Sequence, residues 1–373
     1  MSRGLPVDFG VDKRFVFDIL TSDISTAESI LDLIDNSIDA ARRDIGRASG
    51  LGAVGSLPES YQGYYVDLTI NADRIEIRDN CSGIEPNLLA TKAFRLGARF
   101  EQSFSIGMYG VGLIRAFWKL GAEGYLLTDT GAQAYELKFS KSVLNETDIV
   151  DATERQSSGQ KVNHFRVENL TAETVMDSAD ERWIAFLEQR VRTVLGICIR
   201  KGLVVRLNGK VIQPFGPEIR KDIPELRFEK PFVTSEGVDV WIEVGVHPNY
   251  RFVGESGHSA ENNKKITKEL GWYVVCNDRI VLVHDLSEKV GWKNVWHSEY
   301  NGFVGWVHFK SRDARLLPWD STKSDISLEK RSQREVAPLL RQMADSYRQA
   351  NRNYRYSSGL TGCGKRLVWL GPL

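Results

Sequence analysis

The segment ILDLIDNSIDAARR, residues 30–43, constrains the chain most, because it places three polar groups in what otherwise looks like a buried helix. Asp32, Asn36 and Asp39 recur at spacings of four and three, which puts all three on one helical face. Burying a carboxamide between two carboxylates costs several kcal/mol unless another group compensates. We therefore expect this polar stripe to face a bound group, although a stripe that simply faces water is the common alternative.

The whole chain has the composition of an ordinary globular protein. Its 373 residues favour two domains, each large enough to bury a core. The formal net charge is zero, so the chain as a whole has no long-range electrostatic attraction for nucleic acid or an anionic membrane. A local basic patch is the remaining alternative. The four cysteines show no metal-ligand spacing, which argues against a structural zinc site or a disulfide framework. Without a signal-peptide core or a long apolar run, we expect a soluble, cytoplasmic protein that does not contact a membrane.

Hydrophobic periodicity predicts a mixture of helices and short strands. Helices are predicted at residues 26–43, 113–120, 181–199 and 328–353. Strands are predicted at YYVDLTI, RIEIRD, GYLLTD, AYELKFS, KVNHFRVENL, LVVRL, DVWIEVGV, GWYVVCNDRIVLV and NGFVGWVHFK. The stretch QPFGPE, residues 213–218, carries two prolines and a glycine and predicts a domain boundary.

Two further motifs combine polar groups with glycine. In IRDNCSGI, residues 77–84, a strand ends at Asp79 and a tight turn follows. A surface turn is the common interpretation, but Asp79 is also suited to accept an exocyclic amine, and Gly83 would let the backbone approach a flat ring. GMYGVGL, residues 107–113, precedes a helix without the βαβ context of a dinucleotide fingerprint. Glycines beside a helix N-terminus instead favour a backbone cradle for phosphates.

In this order, DLIDNSIDA, DNCSGI and GMYGVGLIRAFWKLG resemble the N box and the two glycine boxes of the GHKL ATPases. That superfamily includes the gyrase, heat-shock chaperone, MutL and MORC nucleotide-binding domains. The resemblance covers roughly residues 15–213 and implies a Bergerat fold, an α+β sandwich in which helices cover a mixed sheet. A smaller, transducer-like α/β domain is expected to follow. The expected domains are therefore an ATP-binding domain at 1–213, a transducer-like domain at 214–328, and a C-terminal helix and tail at 329–373.

The resemblance implies ATP and Mg²⁺ as ligands. Asn36 would ligate Mg²⁺, Asp79 would accept the adenine amine, and Asp32 would polarise the attacking water. Lys323, in the loop LPWDSTKSDI, would reach the γ-phosphate from the second domain, the alternative being an ordinary exposed lysine. Residues 93–105 would form a lid. The remaining nucleotide-binding residues are expected to be Asp39, Ala40, Gly83, Ile84, Gly107, Tyr109, Gly110, Val111, Gly112 and Leu113.

Three positions depart from the family pattern. Asp32 stands where the family usually has a glutamate, and a misplacement of about 1 Å can cost on the order of a hundredfold in rate. Cys81 replaces a common glycine. Gln160 and Lys161 follow Gly159, where the family often shows a threonine near the adenine. We therefore expect slow hydrolysis.

The expected function is a Mg²⁺-dependent, slowly ATP-hydrolysing switch that forms a homodimer on ATP binding. The chain length fits a bacterial MORC-like ATPase, a type associated with DNA restriction and phage defence alongside a separate effector such as a nuclease. The alternative is an ATP-gated clamp or scaffold whose hydrolysis is vestigial. DNA remains a candidate partner without support from net charge, because the basic residues between Lys330 and Arg355 alternate with acidic ones. GLTGCGKR, residues 359–366, nearly matches a P-loop but ends in Arg366, where Ser or Thr must bind Mg²⁺.

Overall fold

The computed structural model describes most of the chain, and the structural statements below refer to this part. The described residues are 13–48, 56–98, 102–108, 110–293 and 296–357. The near P-loop at 359–366 lies outside them. None of the helices in the described ranges combines the length and the apolar character that crossing a membrane requires.

The chain divides into two compact units. The first unit runs up to Gln102, from Ile106 to Val191 and from Lys201 to Ile212. The second unit consists of Ser103–Ser105, Arg192–Arg200 and the chain from Gln213 onward. The described part of the expected C-terminal segment 329–373 belongs to this second unit.

The strands of the first unit form one mixed sheet. In the described ranges the sheet has eight strands in the order β5-β4-β3-β6-β2-β1-β7-β8, and the β1–β7 pair is parallel while the other pairs are antiparallel. The strands are β1 (Tyr65–Ile70), β2 (Arg74–Asp79), β3 (Gly121–Thr130), β4 (Ala134–Ser140), β5 (Thr153–Arg155), β6 (Lys161–Leu170), β7 (Val204–Leu207) and β8 (Lys210–Val211). Alternating apolar residues in β1 and β2 point into the core, as the period of two requires. Asn208 and Gly209 both have positive φ, which a two-residue hairpin turn between twisted strands demands.

Helices cover this sheet. Those of the first unit include α1 (Lys13–Ser22), α2 (Thr26–Ala48), α3 (Pro86–Thr91), α4 (Gly112–Leu120), α5 (Lys141–Glu146) and α6 (Ala172–Ala179). Helix α2 packs on α4 and β2, and α4 packs on β3 and β6. Phe17 of α1 stacks on Trp118 of α4, with ring centroids 4.1 Å apart. The first unit is therefore an α+β sandwich in which α2 and α4 lie side by side on the sheet.

The helix predicted at residues 181–199 is divided in the structure. It consists of α7 (Glu181–Val194) and α8 (Gly196–Arg200), which meet at Leu195. The carbonyl oxygen of Phe215 would lie 2.5 Å from a Cβ at Gly196. A glycine is needed for that close approach, and a continuous helical periodicity does not reveal it.

The second unit has its own mixed sheet. Its described strands are ordered β12-β11-β13-β10-β9, with β11 and β13 parallel. They are β9 (Phe228–Val233), β10 (Asp239–Val246), β11 (Gly271–Cys276), β12 (Arg279–Asp285) and β13 (Phe303–Lys310). Two further helices are α9 (Ala260–Lys265) and α10 (Arg331–Ser357), and α10 packs on β10 and β13. Every residue of β11 is buried, so this strand runs through the core.

Candidate functional site

The polar stripe of α2 lies in a nearly fully buried segment. Every residue from Ser29 to Arg42 is buried except Asn36, whose side chain is exposed. Asp32 and Asp39, one turn to either side, are 3% and 7% exposed. An exposed carboxamide flanked by two buried carboxylates marks an opening in the packing around this helix.

Asp39 is held by the backbone of the glycine-rich segment. Its carboxylate accepts hydrogen bonds from the backbone N–H of Ile106, at 2.9 and 3.0 Å, and from that of Gly107, at 2.9 Å. Arg42 lies 3.4 Å away on the same helix. Burial raises the pKa of Asp39, while the Arg42 guanidinium and the two backbone amides oppose that rise. Asp39 thus fastens the start of the glycine-rich segment to α2.

Asp32 has a side-chain partner instead. The guanidinium of Arg115, on α4, donates a hydrogen bond from one terminal nitrogen to Asp32 Oδ2. Both side chains are buried, with 3% of the Asp32 side chain and 9% of the Arg115 side chain exposed. A Cβ at Gly112 would lie 3.8 Å from Cβ and Cγ of Asp32, so the carboxylate rests beside the first turn of α4.

The N-terminus of α4 follows the glycine-rich segment. Gly110 has φ +64°, and a Cβ there would lie 2.0 Å from the carbonyl oxygen of Ala98, so this position requires glycine. Val111 is the N-cap, and no side chain in the described ranges caps the helix there. The first-turn N–H groups of a helix carry partial positive charge and suit an anion. Tyr109, predicted to bind nucleotide, lies outside the described residues.

Asp79 closes the other end of the site. At the end of β2 it is 3% exposed and accepts hydrogen bonds from the Ser37 hydroxyl at 2.6 Å, the Cys81 N–H at 3.0 Å and Asn163 Nδ2 at 3.0 Å. Burial raises the pKa of Asp79, and these hydrogen bonds oppose the rise. Ser37 follows Asn36 in α2, so the helix carries both the exposed amide and a support for the buried carboxylate.

Residues 24–171 match the model of a family described as histidine kinase-, DNA gyrase B- and HSP90-like ATPase. The match spans α2, both glycine motifs and the strands from β1 to β6, which together position Asp32, Asn36, Asp39 and Asp79. This segment is a GHKL-type ATPase domain. No curated protein matches the chain. Apart from Ser103–Ser105, the second unit lies beyond the GHKL match, so the match carries no statement about that unit.

Asn163 of the GHKL domain also contacts Asp79, although it is not among the residues predicted from the sequence. It stands opposite Asp79 in the β2–β6 register and shares a strand face with Phe165. Its amide oxygen accepts a hydrogen bond from the Thr128 hydroxyl at 2.8 Å, and Thr128 in turn accepts one from the Ile84 N–H at 2.7 Å. An asparagine on the inward face of a strand was the available signal. Gln160 and Lys161, where the family often shows a threonine, are both exposed.

The turn of the first glycine motif is shaped by the protein itself. Gly83 has φ +67°, and a Cβ there would lie 2.3 Å from the carbonyl oxygen of Asp129. The glycine is therefore required by contact with β3, whether or not a flat ring lies nearby. The Asp129 carboxylate accepts hydrogen bonds from the Ser157 hydroxyl and from the N–H and hydroxyl of Ser158. Burial would raise the pKa of Asp129, but these hydrogen bonds outweigh it and lower that pKa.

A cleft of about 390 Å³ opens beside this turn. Two ion pairs lie along it, one joining Arg47 and Glu85 at 2.9 Å and the other joining Lys161 and Asp44 at 2.5 Å. Its lining consists of Asp44, Arg47, Ala48, Ser82, Glu85, Thr130 and Lys161. The cleft gives a ligand a polar, charged approach to the turn that follows Asp79.

The structure places the other predicted residues as follows. Ala40 is buried in α2, Ile84 and Val111 are half-buried, and Leu113 lies half-buried in the first turn of α4. Lys323 belongs to the second unit, where it is 6% exposed and its carbonyl oxygen accepts a hydrogen bond from Arg279. The alternative of an ordinary exposed lysine is therefore wrong, while its role toward the γ-phosphate stays a prediction.

The side chains at the site fit a weakly ligated magnesium ion. Among the described residues, no group of three or more His, Cys, Asp or Glu side chains is arranged to hold a metal ion. Mg²⁺ in nucleotide sites typically keeps several waters and takes few protein ligands, with the remainder from phosphate oxygens. The exposed carboxamide of Asn36 supplies one neutral oxygen at the opening in α2, which suits that chemistry.

Proposed function

We propose that the GHKL domain binds ATP with Mg²⁺ and hydrolyses it slowly, and that nucleotide binding drives two copies of the chain together. The observation that carries this proposal is the exposure of Asn36 in the middle of a buried helix. An exposed amide in such a position is suited to a ligand that arrives from solvent. The aspartates on either side align it with the glycine-rich segment and with α4.

The adenine is proposed to lie against Asp79. A carboxylate there accepts the exocyclic amine of adenine, since each carboxylate oxygen can accept more than one hydrogen bond. The Ser37 hydroxyl, the Cys81 N–H and Asn163 hold this carboxylate in place before the ligand arrives. Because the acceptor is already oriented, less ordering remains to oppose binding.

The phosphates are proposed to extend toward the N-terminus of α4. Its first-turn N–H groups offer hydrogen-bond donors and partial positive charge. Asn36 would hold Mg²⁺ at the opening, and a bound Mg²⁺ would neutralise phosphate charge and orient the terminal phosphate. The Lys323 ammonium is proposed as an additional charge partner for that phosphate.

Hydrolysis is proposed as in-line attack by water. The water oxygen forms a bond to the γ-phosphorus, and the bond from that phosphorus to the β–γ bridging oxygen breaks, leaving its electron pair on ADP. Asp32 takes the proton that the water loses. Because Asp32 is one methylene shorter than the glutamate that the family usually has at this position, its carboxylate is set back from the attacking water, and turnover is expected to be slow.

The biological setting is proposed from the resemblance to bacterial MORC-like ATPases. The chain would be the cytoplasmic ATPase component of a DNA-related or phage-defence system, acting with a separate effector such as a nuclease. The buried Asp32–Arg115 pair also favours a second candidate function, an ATP-gated clamp in which binding alone closes the dimer. The two functions share a ligand and differ in turnover.

The decisive experiment measures ATP hydrolysis with Mg²⁺ and the binding of a non-hydrolysable ATP analogue. It compares the unaltered chain with Asn36→Ala and Asp32→Ala, and records oligomeric state with and without the analogue. Asn262→Ala is the matched control, because Asn262 is also an exposed helical asparagine but lies on α9 of the second unit. We expect turnover to be lost in both site variants and kept in the control.

The outcomes separate the candidates. Turnover with analogue-driven dimerisation supports the ATPase switch, whereas tight analogue binding without turnover supports the clamp. If the unaltered chain binds neither ATP nor the analogue, the proposed function is wrong.

A further inference from the structure

Arg115 occupies an unusual place for a cation. It is the fourth residue of α4, close to the helix N-terminus, where the helix dipole disfavours positive charge. Its side chain is also buried, and burying a guanidinium is costly unless its charge and its hydrogen-bond donors are satisfied. Helix stability therefore does not explain an arginine at this position. The explanation must lie in the groups that its guanidinium binds.

The partners satisfy Arg115 only in part. One terminal nitrogen donates to Asp32 Oδ2, while no acceptor among the described residues pairs with its buried Nε. Guanidinium groups bind carboxylates and phosphates best through two parallel hydrogen bonds. Arg115 thus makes an ion pair and keeps a buried donor unused, at a position next to Gly112 and the first turn of α4.

ATP bound as proposed would change the charge at this end of the site. Asp32 precedes Asn36 by four residues, so the two side chains lie about 6 Å apart along one face of α2. A terminal phosphate beside Asn36 would place new negative charge near the Asp32 carboxylate, and like charges at such distances repel. The Arg115 guanidinium already contacts Asp32, and it would relieve this repulsion by turning toward the phosphate.

We infer that Arg115 is a γ-phosphate-sensing residue whose guanidinium exchanges between Asp32 and the terminal phosphate of ATP. This inference rests on the proposed function. Without nucleotide, the Arg115 guanidinium pairs with the Asp32 carboxylate and keeps it from acting as a base. When ATP is bound, the phosphate draws the guanidinium away, which neutralises phosphate charge and frees Asp32 to accept the proton of the attacking water. ADP lacks the terminal phosphate and leaves the pair intact.

The test compares the affinities of ADP and a non-hydrolysable ATP analogue, both with Mg²⁺, by isothermal titration calorimetry. In Arg115→Gln we expect the analogue to bind about ten- to a hundredfold more weakly, because a charge-assisted hydrogen bond to phosphate is lost. The affinity for ADP should change by less than about threefold, since ADP does not draw on Arg115. Arg42→Gln is the matched control, because Arg42 is another buried arginine paired with an aspartate of the same stripe. It should affect both nucleotides equally.

A second variant guards against a fold defect and tests the exchange directly. Asp32→Asn removes the competing carboxylate, so the analogue should bind at least about threefold more tightly. In the double variant Asp32→Asn with Arg115→Gln this gain should disappear, because no guanidinium remains to be released. A gain of the same size in both backgrounds would mean that Asp32 acts by its charge alone and would overturn the exchange.

Nucleotide binding by the unaltered chain and by Arg115→Gln separates the remaining outcomes. If Arg115→Gln folds and weakens both nucleotides alike, or neither, Arg115 has only a structural role and the inference is wrong. If the unaltered chain binds ADP but Arg115→Gln shows no selective loss, the proposed function stands and this inference alone fails. If the unaltered chain binds no nucleotide, the proposed function fails and the inference fails with it.

Discussion

The two ends of the α2 stripe differ in how they are held. At one end, Asp39 accepts hydrogen bonds from the backbone of Ile106 and Gly107. At the other end, Asp32 accepts a hydrogen bond from the side chain of Arg115. A backbone donor can leave only if the chain itself moves, whereas a side chain can turn to another anion. The comparison suggests that the Asp39 end is a fixed anchor and that the Asp32 end is the part that responds to ligand.

The largest expected effect comes from replacing each carboxylate by its amide. Asp39→Asn should lower the free energy of unfolding by about 3 kcal/mol, because the new NH₂ group must face a backbone N–H and Arg42 loses its counter-ion. Asp32→Asn should cost less, about 2 kcal/mol, because Arg115 also loses its counter-ion but the amide oxygen can still accept its hydrogen bond. Urea unfolding measures both. Equal costs would break the distinction between a fixed and an exchangeable end.

A second prediction concerns the turn near Asp79, which is shaped by backbone contact like the Asp39 end. Gly83→Ala should cost about 2 kcal/mol, because φ is positive there and the new Cβ would collide with the carbonyl oxygen of Asp129. Gly63→Ala is a suitable control, since Gly63 also has positive φ but no atom within 4 Å of its Cβ position. Thermal unfolding should show a larger loss of stability in Gly83→Ala than in Gly63→Ala. An equal loss in both variants would mean that the collision with Asp129 does not affect stability.

A third prediction uses the raised pKa of Asp79. Since burial raises that pKa above the ordinary value of 3.8, protonation sets in at higher pH than for an exposed aspartate. The proposed contact with adenine needs the ionised form, so ADP affinity should fall as the pH drops through the raised pKa, approaching about tenfold per pH unit below it. Titration calorimetry over a pH series measures this fall.

The control for this pH dependence is Asp79→Asn, which cannot ionise at that position. It should bind ADP weakly, with the acid-dependent fall absent. The same fall in the variant and in the unaltered chain would assign the titration to another group. Linkage also requires the raised pKa of Asp79 to lower folding stability as the pH rises from 3.8 through that pKa, because the folded chain then binds its proton more tightly than the unfolded chain does.

The smallest effects are expected at the glycines that face the two carboxylates. A Cβ at Gly107 would lie 3.5 Å from Asp39 Oδ2, and one at Gly112 would lie 3.8 Å from Asp32, both ordinary contact distances. Gly107→Ala and Gly112→Ala should each change the free energy of unfolding by less than about 0.5 kcal/mol. A loss above about 1 kcal/mol in urea unfolding would show that the new Cβ at that position does not fit beside the carboxylate.

Much of this site follows from spacing and residue type. The intervals between Asp32, Asn36 and Asp39 are enough to place them on one helical face, and the order of the three motifs is enough to indicate the family that residues 24–171 match. The α+β class of the first unit, with helices over a mixed sheet, was predicted correctly for the same reason.

The partners of those residues could not be predicted in the same way. Asp39 is held by backbone N–H groups, which every residue except proline has and which no sequence pattern distinguishes. Arg115 is 83 residues from Asp32, and only the packing of α4 beside α2 brings them together. Likewise, the need for glycine at position 83 arises from a β3 carbonyl group rather than from the turn alone.

The thiol of Cys81 offers a way to observe this site directly. It is buried beside Asp79, and burial raises its pKa well above the ordinary value, so little reactive thiolate forms at neutral pH. An alkylating reagent should therefore label Cys81 only when the structure around Asp79 and Cys81 opens. A bound nucleotide should slow that labelling. Cys198 and Cys276, both buried in the second unit, provide an internal reference for opening elsewhere. The rate at which Cys81 is labelled would therefore report how often the structure around it opens locally.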